Sequence, residues 1–146
     1  MIESLRTVFA KNLDLLINEI ESYKNEGSMW TIDGQINNSA GTLSLHICGN
    51  LQHFIGAILG ESGYIRNRES EFGLHVTRVQ LVEQIKQTKM IVDSTLNNFS
   101  AERLSDKYPI EVFKHPMTVA YFLIHLQGHL NYHLGQISYH RRLLDR

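Results

Sequence analysis

The sequence predicts an all-α protein, a four-helix bundle with long connections, and three observations support this fold class. The chain has 146 residues and only two prolines, a length near the commonest size of one domain, so we expect a single domain over residues 1–146. Apolar residues make up 42% of the chain and charged residues 20%, which is the balance of a globular protein. Four segments repeat apolar residues at steps of three and four, whereas strand-like alternation never persists.

The first two helices are indicated by their apolar spacing and by the signals at their ends. The first begins at Ile2 and is expected to end near Asn25, because the Glu-Gly-Ser run that follows is a stop signal. The second begins after Ser39, a good N-cap residue, and ends at Gly60. Each carries one apolar side, as expected of a helix that packs against a core.

The last two helices have clear start signals. The third begins at Thr77, with Gln80 three residues later in a capping-box pattern, and its apolar side extends to Phe99. The fourth opens at Pro116, a residue that a first helical turn tolerates, and runs towards Leu144. Four such helices of 20–28 residues would each span about 30–40 Å, which is typical of a bundle.

Two connections are longer than the two to eight residues usual in bundles. The first holds Trp30, the only tryptophan, and we expect it either to wall the mouth of a pocket or to plug the end of the core. The second contains a mixed-sign charge run that we expect to be solvated, with a role of its arginines in holding an acidic substrate as the alternative. This run consists of Arg66, Arg68, Glu69 and Glu71.

Histidine is the outstanding feature of the composition, with eight residues in the chain. In the fourth helix His125, His129 and His133 are four residues apart, so each is rotated only about 40° from the previous one. Gln136 and His140 fall within the same stripe, which borders the apolar side of the helix. The histidines are therefore expected to point towards the bundle interior rather than into water.

The second helix repeats this design with His46, Asn50 and His53 on one stripe. Neutral imidazole is the commonest metal ligand, and a His-x-x-x-His pair on a helix can clamp one ion. A third ligand from another helix leaves one coordination position open for water or substrate. The sequence therefore predicts a metal site between these two helices, with hydrogen-bonded core histidines as the structural alternative. His75 and His115 are expected to be surface or loop residues.

Two motifs make the chain resemble the DinB/YfiT-like family of small four-helix metalloproteins. The first is Asn-Ser-x-Gly-x-Leu-x-x-His at residues 38–46, followed by Asn50-Leu51 and preceded by Trp30. The second is the run His-Leu-Asn-Tyr-His-Leu-Gly-Gln-Ile at residues 129–137. The resemblance extends over the whole chain in helix order and length, but these two motifs are its specific part.

The resemblance implies that His46, His129 and His133 are the metal ligands, with zinc or nickel as the ion and water completing its coordination. Three imidazoles alone would suit zinc, nickel, copper or iron alike. Other side chains are expected near the ion, either orienting a ligand or acting as an acid or base. These candidates are Asn50, His53, His125 and Gln136.

Two kinds of function remain open for such a site. The resemblance implies a metal-dependent enzyme, either a hydrolase or a transferase that uses a low-molecular-weight thiol such as bacillithiol or mycothiol. The histidine stripes carry no carboxylate to serve as general base for water, which favours thiol transfer. The alternative is a non-catalytic, metal-stabilised dimeric bundle that acts as a stress-response binding module. In that case His53 or His125 would close the site as a fourth ligand.

Composition excludes several other classes. The formal net charge is -1, whereas a nucleic-acid binder usually shows a basic face, so we expect no nucleic-acid partner. The single cysteine, Cys48, rules out a disulfide framework and is expected to be a small buried residue. No secretory signal pattern appears, nor about 18 uninterrupted apolar residues, so we expect a cytoplasmic protein that does not enter membranes.

One pair of glycines points to a close contact on the fourth helix. Gly128 and Gly135 lie a heptad apart on a common edge, and each should cost about 1 kcal/mol relative to alanine in a helix. We expect another backbone to approach this edge, either the first helix or the partner of a homodimer.

Overall fold

The computed structural model describes residues 1–146, and it confirms the all-α bundle: the chain forms helices and no strand. Four long helices pack together, and a short fifth helix lies between the second and third of them. We number the helices in chain order: α1 spans Ile2–Glu21, α2 begins with Ala40–Leu51, α3 spans Arg68–Gly73, α4 spans Arg78–Asn97 and α5 spans Val119–Leu144. Two short 3₁₀ helices, Glu26–Trp30 and Ala101–Ser105, lie in the connections. A membrane span would need a longer uninterrupted apolar stretch than any of these helices provides.

Helix α2 changes its winding along its length. Its α-helical part, Ala40–Leu51, continues into a π-helical stretch, Gln52–Ala57, and then into a last turn, Ile58–Gly60. Ser39 caps its start by accepting a hydrogen bond from the Thr42 amide, as expected. The π stretch holds more residues per turn than an α-helix, so side chains beyond Leu51 are rotated relative to their α-helical positions.

The helix ends agree with expectation at α4 and differ at α1 and α5. At α4 both hydrogen bonds of the capping box at Thr77 are present. Helix α1 ends at Glu21 rather than near Asn25, where the chain turns and the Asn25 amide donates instead to the Asp145 carboxylate. Helix α5 begins at Val119 rather than at Pro116. The side chain of Thr118 caps it by accepting from a backbone amide one turn ahead.

The core brings α2 and α5 side by side. Phe9, Leu13, Leu16 and Ile20 of α1 are fully buried, and α1 packs against α4 and α5. Helix α2 packs against α4 and α5 from the other side, while the short α3 lies on α2. The histidine stripes of α2 and α5 therefore face one another across this contact.

The expectation that α1 approaches Gly128 and Gly135 is wrong. A Cβ atom built on either residue would meet no other atom within 4 Å, so both glycines lie on an open face of α5. Tyr132 and Tyr139, which are largely exposed, flank them on the same helix. The homodimer alternative for this edge stays a prediction.

Candidate metal centre

The structure brings together three imidazoles from two helices. His46 comes from α2, and His129 and His133 come from successive turns of α5. The Nε2 atom of His129 lies 3.2 Å from Nε2 of His46 and 3.1 Å from Nε2 of His133. One ring nitrogen of each residue lies within 4.8 Å of the other two. These three residues are the ones that the sequence motifs single out.

The separation of these nitrogens fits a common ion. Metal–nitrogen bonds of about 2.0–2.1 Å place neighbouring ligands of a tetrahedral ion about 3.3 Å apart. Hydrogen bonds made by Nδ1, the ring nitrogen that faces away from the cluster, also orient two of the rings. His46 Nδ1–H donates to Glu71 Oε1 at 3.1 Å, and His133 Nδ1–H donates to Gln136 Oε1 at 2.7 Å. With the proton held on Nδ1, each ring turns the lone pair of Nε2 towards His129, which is the arrangement that a cation requires.

Burial keeps two of these rings in the neutral form that binds metals. Desolvation lowers the pKa of His46 below its ordinary value, against the opposing influence of Glu71. Desolvation, followed by the neighbouring His133 and His46, lowers the pKa of His129 to about 4. Neutral imidazole is the metal-binding form. At neutral pH the cluster therefore does not need to lose protons from these two rings before it takes up an ion.

The charge run at residues 66–71 is only partly solvated, which corrects the expectation for Arg66 and Glu71. Glu71 is 5% exposed and accepts from Arg66 Nε at 2.8 Å, from Arg66 Nη2 at 3.0 Å and from His46 at 3.1 Å. The Arg66 side chain is itself only 10% exposed. Arg68 and Glu69 are exposed as expected. A buried ion pair, Arg66–Glu71, is therefore hydrogen-bonded to the neutral His46 ring and supports the cluster from behind.

Glycine in α2 makes room for this carboxylate. A Cβ at Gly49 would lie 2.5 Å from Glu71 Cδ, so α3 can reach the back of His46 only because position 49 has no side chain. Sequence reasoning missed Glu71. The signal that could have found it is Gly49 itself, a glycine inside a helix three residues after His46, on the same face.

Two cavities adjoin the cluster on opposite sides. The first, which we call the amide cavity, has a volume of about 540 Å³ and is lined by His133, Gln136 and the amides of Gln35, Asn37 and Asn38. The second, the phenylalanine cavity, has about 230 Å³. Its lining includes two of the clustered imidazoles, together with Phe54, Phe113 and Phe122. No aspartate or glutamate lines either cavity.

Two of the four expected neighbours of the ion lie where the stripes place them. Gln136 orients His133. Asn50 lines the phenylalanine cavity, is 7% exposed, and its Oδ1 atom has no hydrogen-bond partner. Both residues follow the α-helical spacing that the stripes assumed.

His53 and His125 do not join the donor group. His125 is exposed and its ring packs against Phe113 and Phe122, with its centroid 6.5 Å from that of His129. His53 falls in the π-helical stretch and packs on Phe54 at 4.7 Å. His53 is seven residues beyond His46, so at a rise of about 1.5 Å per residue it lies about 10 Å further along α2. A fourth histidine ligand is therefore absent from the cluster.

Trp30 lines neither of these two cavities, and its expected role as a pocket wall stays a prediction. Its indole stacks on His75 with centroids 4.3 Å apart, and it covers Gly41, where a Cβ would come within 2.5 Å of the ring. Trp30 packs against the hydrophobic core, which is the second role expected for it. The stacking on His75 engages a histidine that otherwise lies exposed in a loop, as does His115.

His140 and Cys48 belong to the packing of the bundle. The hydroxyl of Tyr23 donates to His140 Nδ1 at 2.7 Å, and His140 Nε2–H donates to the Thr31 carbonyl at 2.8 Å. Both ring nitrogens of His140 are thus occupied, which ties α5 to the connection that follows α1. Cys48 is buried as expected, and desolvation raises its pKa to about 12. Such a thiol is a poor nucleophile.

Comparisons with known proteins agree with this architecture. A crystal structure of a conserved protein from Enterococcus faecalis is similar with a TM-score of 0.73, at 18% identity over 94% of this chain and 95% of that one. At this identity the likeness shows the fold alone. No curated protein matches the sequence. The model of a family described as "Protein of unknown function (DUF1572)" matches residues 1–146, and the chain therefore belongs to the DUF1572 family.

Proposed function

We propose that this protein is a divalent-metal-dependent enzyme whose ion is held by His46, His129 and His133. The observation that carries the proposal is the convergence of the three imidazoles, two of which are held by outer hydrogen bonds with a free lone pair towards the cluster. The motifs around these residues resemble those of DinB/YfiT-like metalloproteins, so we propose that the chain is one catalytic domain of that kind. Zinc or nickel suits a set of imidazole donors.

The surroundings support a catalytic rather than a closed ion site. A structural zinc site is normally closed by four protein ligands, whereas catalytic sites keep three and leave one position open. Here the cluster has three members, and cavities adjoin it on both sides. When bound, a divalent ion lowers the pKa of coordinated water and deprotonates a coordinated thiol. A substrate in either cavity would lie next to this activated nucleophile.

The distribution of carboxylates favours a thiol over water as the nucleophile. General-base assistance to water needs a carboxylate or a similar base within hydrogen-bond reach of the ligand. Glu71 is the carboxylate that hydrogen-bonds to a histidine of the cluster. Both of its oxygens already accept hydrogen bonds, from Arg66 and from His46, on the Nδ1 side of the His46 ring. A metal-bound thiolate needs no such base. We therefore propose transfer of a low-molecular-weight thiol to an electrophile, with hydrolysis as the second chemistry.

Metal analysis of matched variants tests the site. The protein should be purified without an affinity tag and loaded with zinc or nickel, and we expect about one ion per chain. His129→Ala should lose the ion and any thiol-transfer activity, because His129 lies between the other two donors. His125→Ala, one turn earlier on α5 and outside the donor group, should keep the ion. Equal metal content in both variants would contradict the proposal.

A non-catalytic, metal-stabilised dimeric bundle is the competing function, and the open face of α5 around Gly128 and Gly135 favours it. Thermal melts with and without a chelator, together with a panel of electrophiles and thiols, separate the two functions. An enzyme should stay folded without its ion and turn over at least one thiol. If the chelator unfolds the chain and no thiol is consumed, the bundle is structural.

A further inference from the structure

We propose that the phenylalanine cavity binds a small aromatic anion, a one-ring carboxylate that also carries a hydroxyl or amino group. The inference deepens the proposed function and rests on it in one respect only, namely that the molecule bound here is the substrate. The binding itself is a property of side chains that are present whether or not the ion is bound.

Aromatic rings form one wall of this cavity. The ring of Phe122 meets Phe54 edge-to-face with centroids 5.1 Å apart, and meets Phe113 in the same way at 6.0 Å. The exposed His125 ring extends this wall outward, lying nearly parallel to Phe122 and edge-on to Phe113 at 4.8 Å. Aromatic pairs favour such edge-to-face geometry, and a flat ring can join the same arrangement. The wall therefore suits a planar aromatic ligand.

The charges around the cavity favour an anion. Two arginines, Arg66 and Arg68, belong to the lining, and no carboxylate does. Arg66 is a charged side chain that is only 10% exposed, and Glu71 neutralises it from behind. Arg68 is exposed, and its guanidinium lies 5.8 Å from the centroid of Phe72 without a carboxylate partner. A carboxylate entering the cavity would meet this guanidinium, for which it is the natural partner.

A buried amide indicates that the ligand also donates a hydrogen bond. Asn50 lines the cavity and is 7% exposed, yet its Oδ1 atom has no partner. Buried polar atoms in folded proteins are nearly always hydrogen-bonded, and an exception calls for an explanation. This oxygen is shielded from solvent, so it would meet the ligand only after the amide rotates about its Cβ–Cγ bond; a hydroxyl or amino group on the ligand would then donate to it.

The volume of the cavity suits a ligand of one ring. At about 30 Å³ per water, a cavity of 230 Å³ has room for about eight waters, and so for a molecule of about ten non-hydrogen atoms. A hydroxybenzoate has this size, whereas a fused two-ring acid would extend beyond the cavity. The amide cavity is larger, but no arginine or lysine lines it, so it has no charge to select an anion.

Calorimetric titration with matched probes tests the inference. The probes are the three hydroxybenzoates, benzoate without the donor, and the hydroxybenzyl alcohols without the charge, each titrated into chelator-treated and zinc-loaded protein. We expect at least one hydroxybenzoate to bind the metal-free protein about tenfold more tightly than its alcohol, which is the contribution of one charge-assisted contact. It should also bind more tightly than benzoate.

Three variants and one control assign the contacts. Arg68→Ala should remove the preference for carboxylate over alcohol. Arg103→Ala is the matched control, because this guanidinium also lies over a phenylalanine ring, Phe99, but lines a different cavity. Asn50→Leu should abolish the advantage of hydroxybenzoate over benzoate, provided that its circular dichroism spectrum and melting temperature show an intact fold. Asn50→Asp, a second variant of nearly the same shape, should weaken every benzoate by repulsion.

The outcomes separate this inference from the proposed function. No heat of binding for any hydroxybenzoate with either form of the protein would overturn the inference, as would equal losses in Arg68→Ala and Arg103→Ala. If zinc binds to the three histidines while the hydroxybenzoates do not, the cavity assignment falls and the metal centre stands. If a hydroxybenzoate binds the metal-free protein and no ion is taken up, the cavity assignment stands and the metal-dependent enzyme falls.

Discussion

Replacing Glu71 with glutamine tests whether the buried Arg66–Glu71 ion pair supports the histidine cluster. Glu71 is the one carboxylate among the buried residues, and it accepts two hydrogen bonds from Arg66 and one from His46. Glutamine keeps the shape of the side chain but removes the negative charge. It also replaces one acceptor oxygen with an NH₂ group, which then faces an N–H donor of Arg66 or His46. The guanidinium of Arg66 then stays buried without a carboxylate.

The expected loss of folding stability in Glu71→Gln is large for a single polar substitution. Removing one partner of a buried salt bridge costs about 3–5 kcal/mol, because the other charge is left unpaired. Because glutamine retains one carbonyl acceptor, we expect Glu71→Gln to lower the free energy of unfolding by about 3 kcal/mol, the lower end of this range. With a urea dependence of about 2 kcal/mol per molar, the unfolding midpoint should fall by about 1.5 M. Loss of the acceptor behind His46 should also weaken metal binding about 10- to 100-fold.

Urea unfolding with chelator present measures the first effect, and zinc titration against a competing chelator measures the second. Asp14→Asn is the control, because it breaks a 2.7 Å ion pair with Lys89 whose side chains are 54% and 35% exposed. Exposed pairs contribute only about 0–1 kcal/mol. Arg66→Met combined with Glu71→Gln should lose less than the sum of the two single variants. A midpoint shift in Glu71→Gln no larger than in Asp14→Asn, or strictly additive losses, would refute the reasoning.

Other measurements probe packing and protonation elsewhere. Gln127→Met should raise the free energy of unfolding by about 1–2 kcal/mol, because both polar atoms of this amide are buried without a partner; a urea midpoint at or below that of the wild type would contradict this. The metal-free protein should lose stability as the pH falls from about 6.5 towards 4, because burial lowers the pKa of His129 to about 4 and only the unfolded chain takes up its proton in that window. Urea unfolding at pH 7, 6 and 5 measures this loss, which His129→Gln should reduce; a profile identical in the two proteins would count against it. Gly49→Ala should lower both the melting temperature and the zinc affinity, since its Cβ would displace the Glu71 carboxylate. Gly135→Ala, where a Cβ meets nothing, should instead stabilise the helix by up to about 1 kcal/mol; the opposite order of the two glycine variants would be inconsistent with the packing described.

Much of the fold could be predicted because its signals are local. The capping box at Thr77 and the N-cap at Ser39 define where two helices begin, since a cap is made within a few residues of the chain. The cluster could be predicted only in part for a similar reason. Helical spacing places histidines along the border of the apolar sides of α2 and α5, and burying both sides brings the two stripes together. The choice of His46, His129 and His133 among them came from the resemblance of the two motifs to DinB/YfiT-like metalloproteins.

Other features depend on how separate segments pack. Glu71 lies behind His46 because α3 packs onto α2 at a glycine. The two residues are 25 positions apart in the chain, so no local sequence pattern predicts their contact. The π-helical winding of α2 after Leu51 is likewise not visible in the hydrophobic period of that helix.

The sequence by itself thus determined the helices and the two histidine stripes, because helical periodicity and capping are short-range properties. Its two motifs indicated, by resemblance, the three histidines that meet. The tertiary structure decided the support of those histidines by Glu71, the packing of Trp30 away from the cavities and the cavities themselves. Each of these depends on side chains that become neighbours only when the helices pack, since a cavity or a buried charge pair is formed by several elements at once.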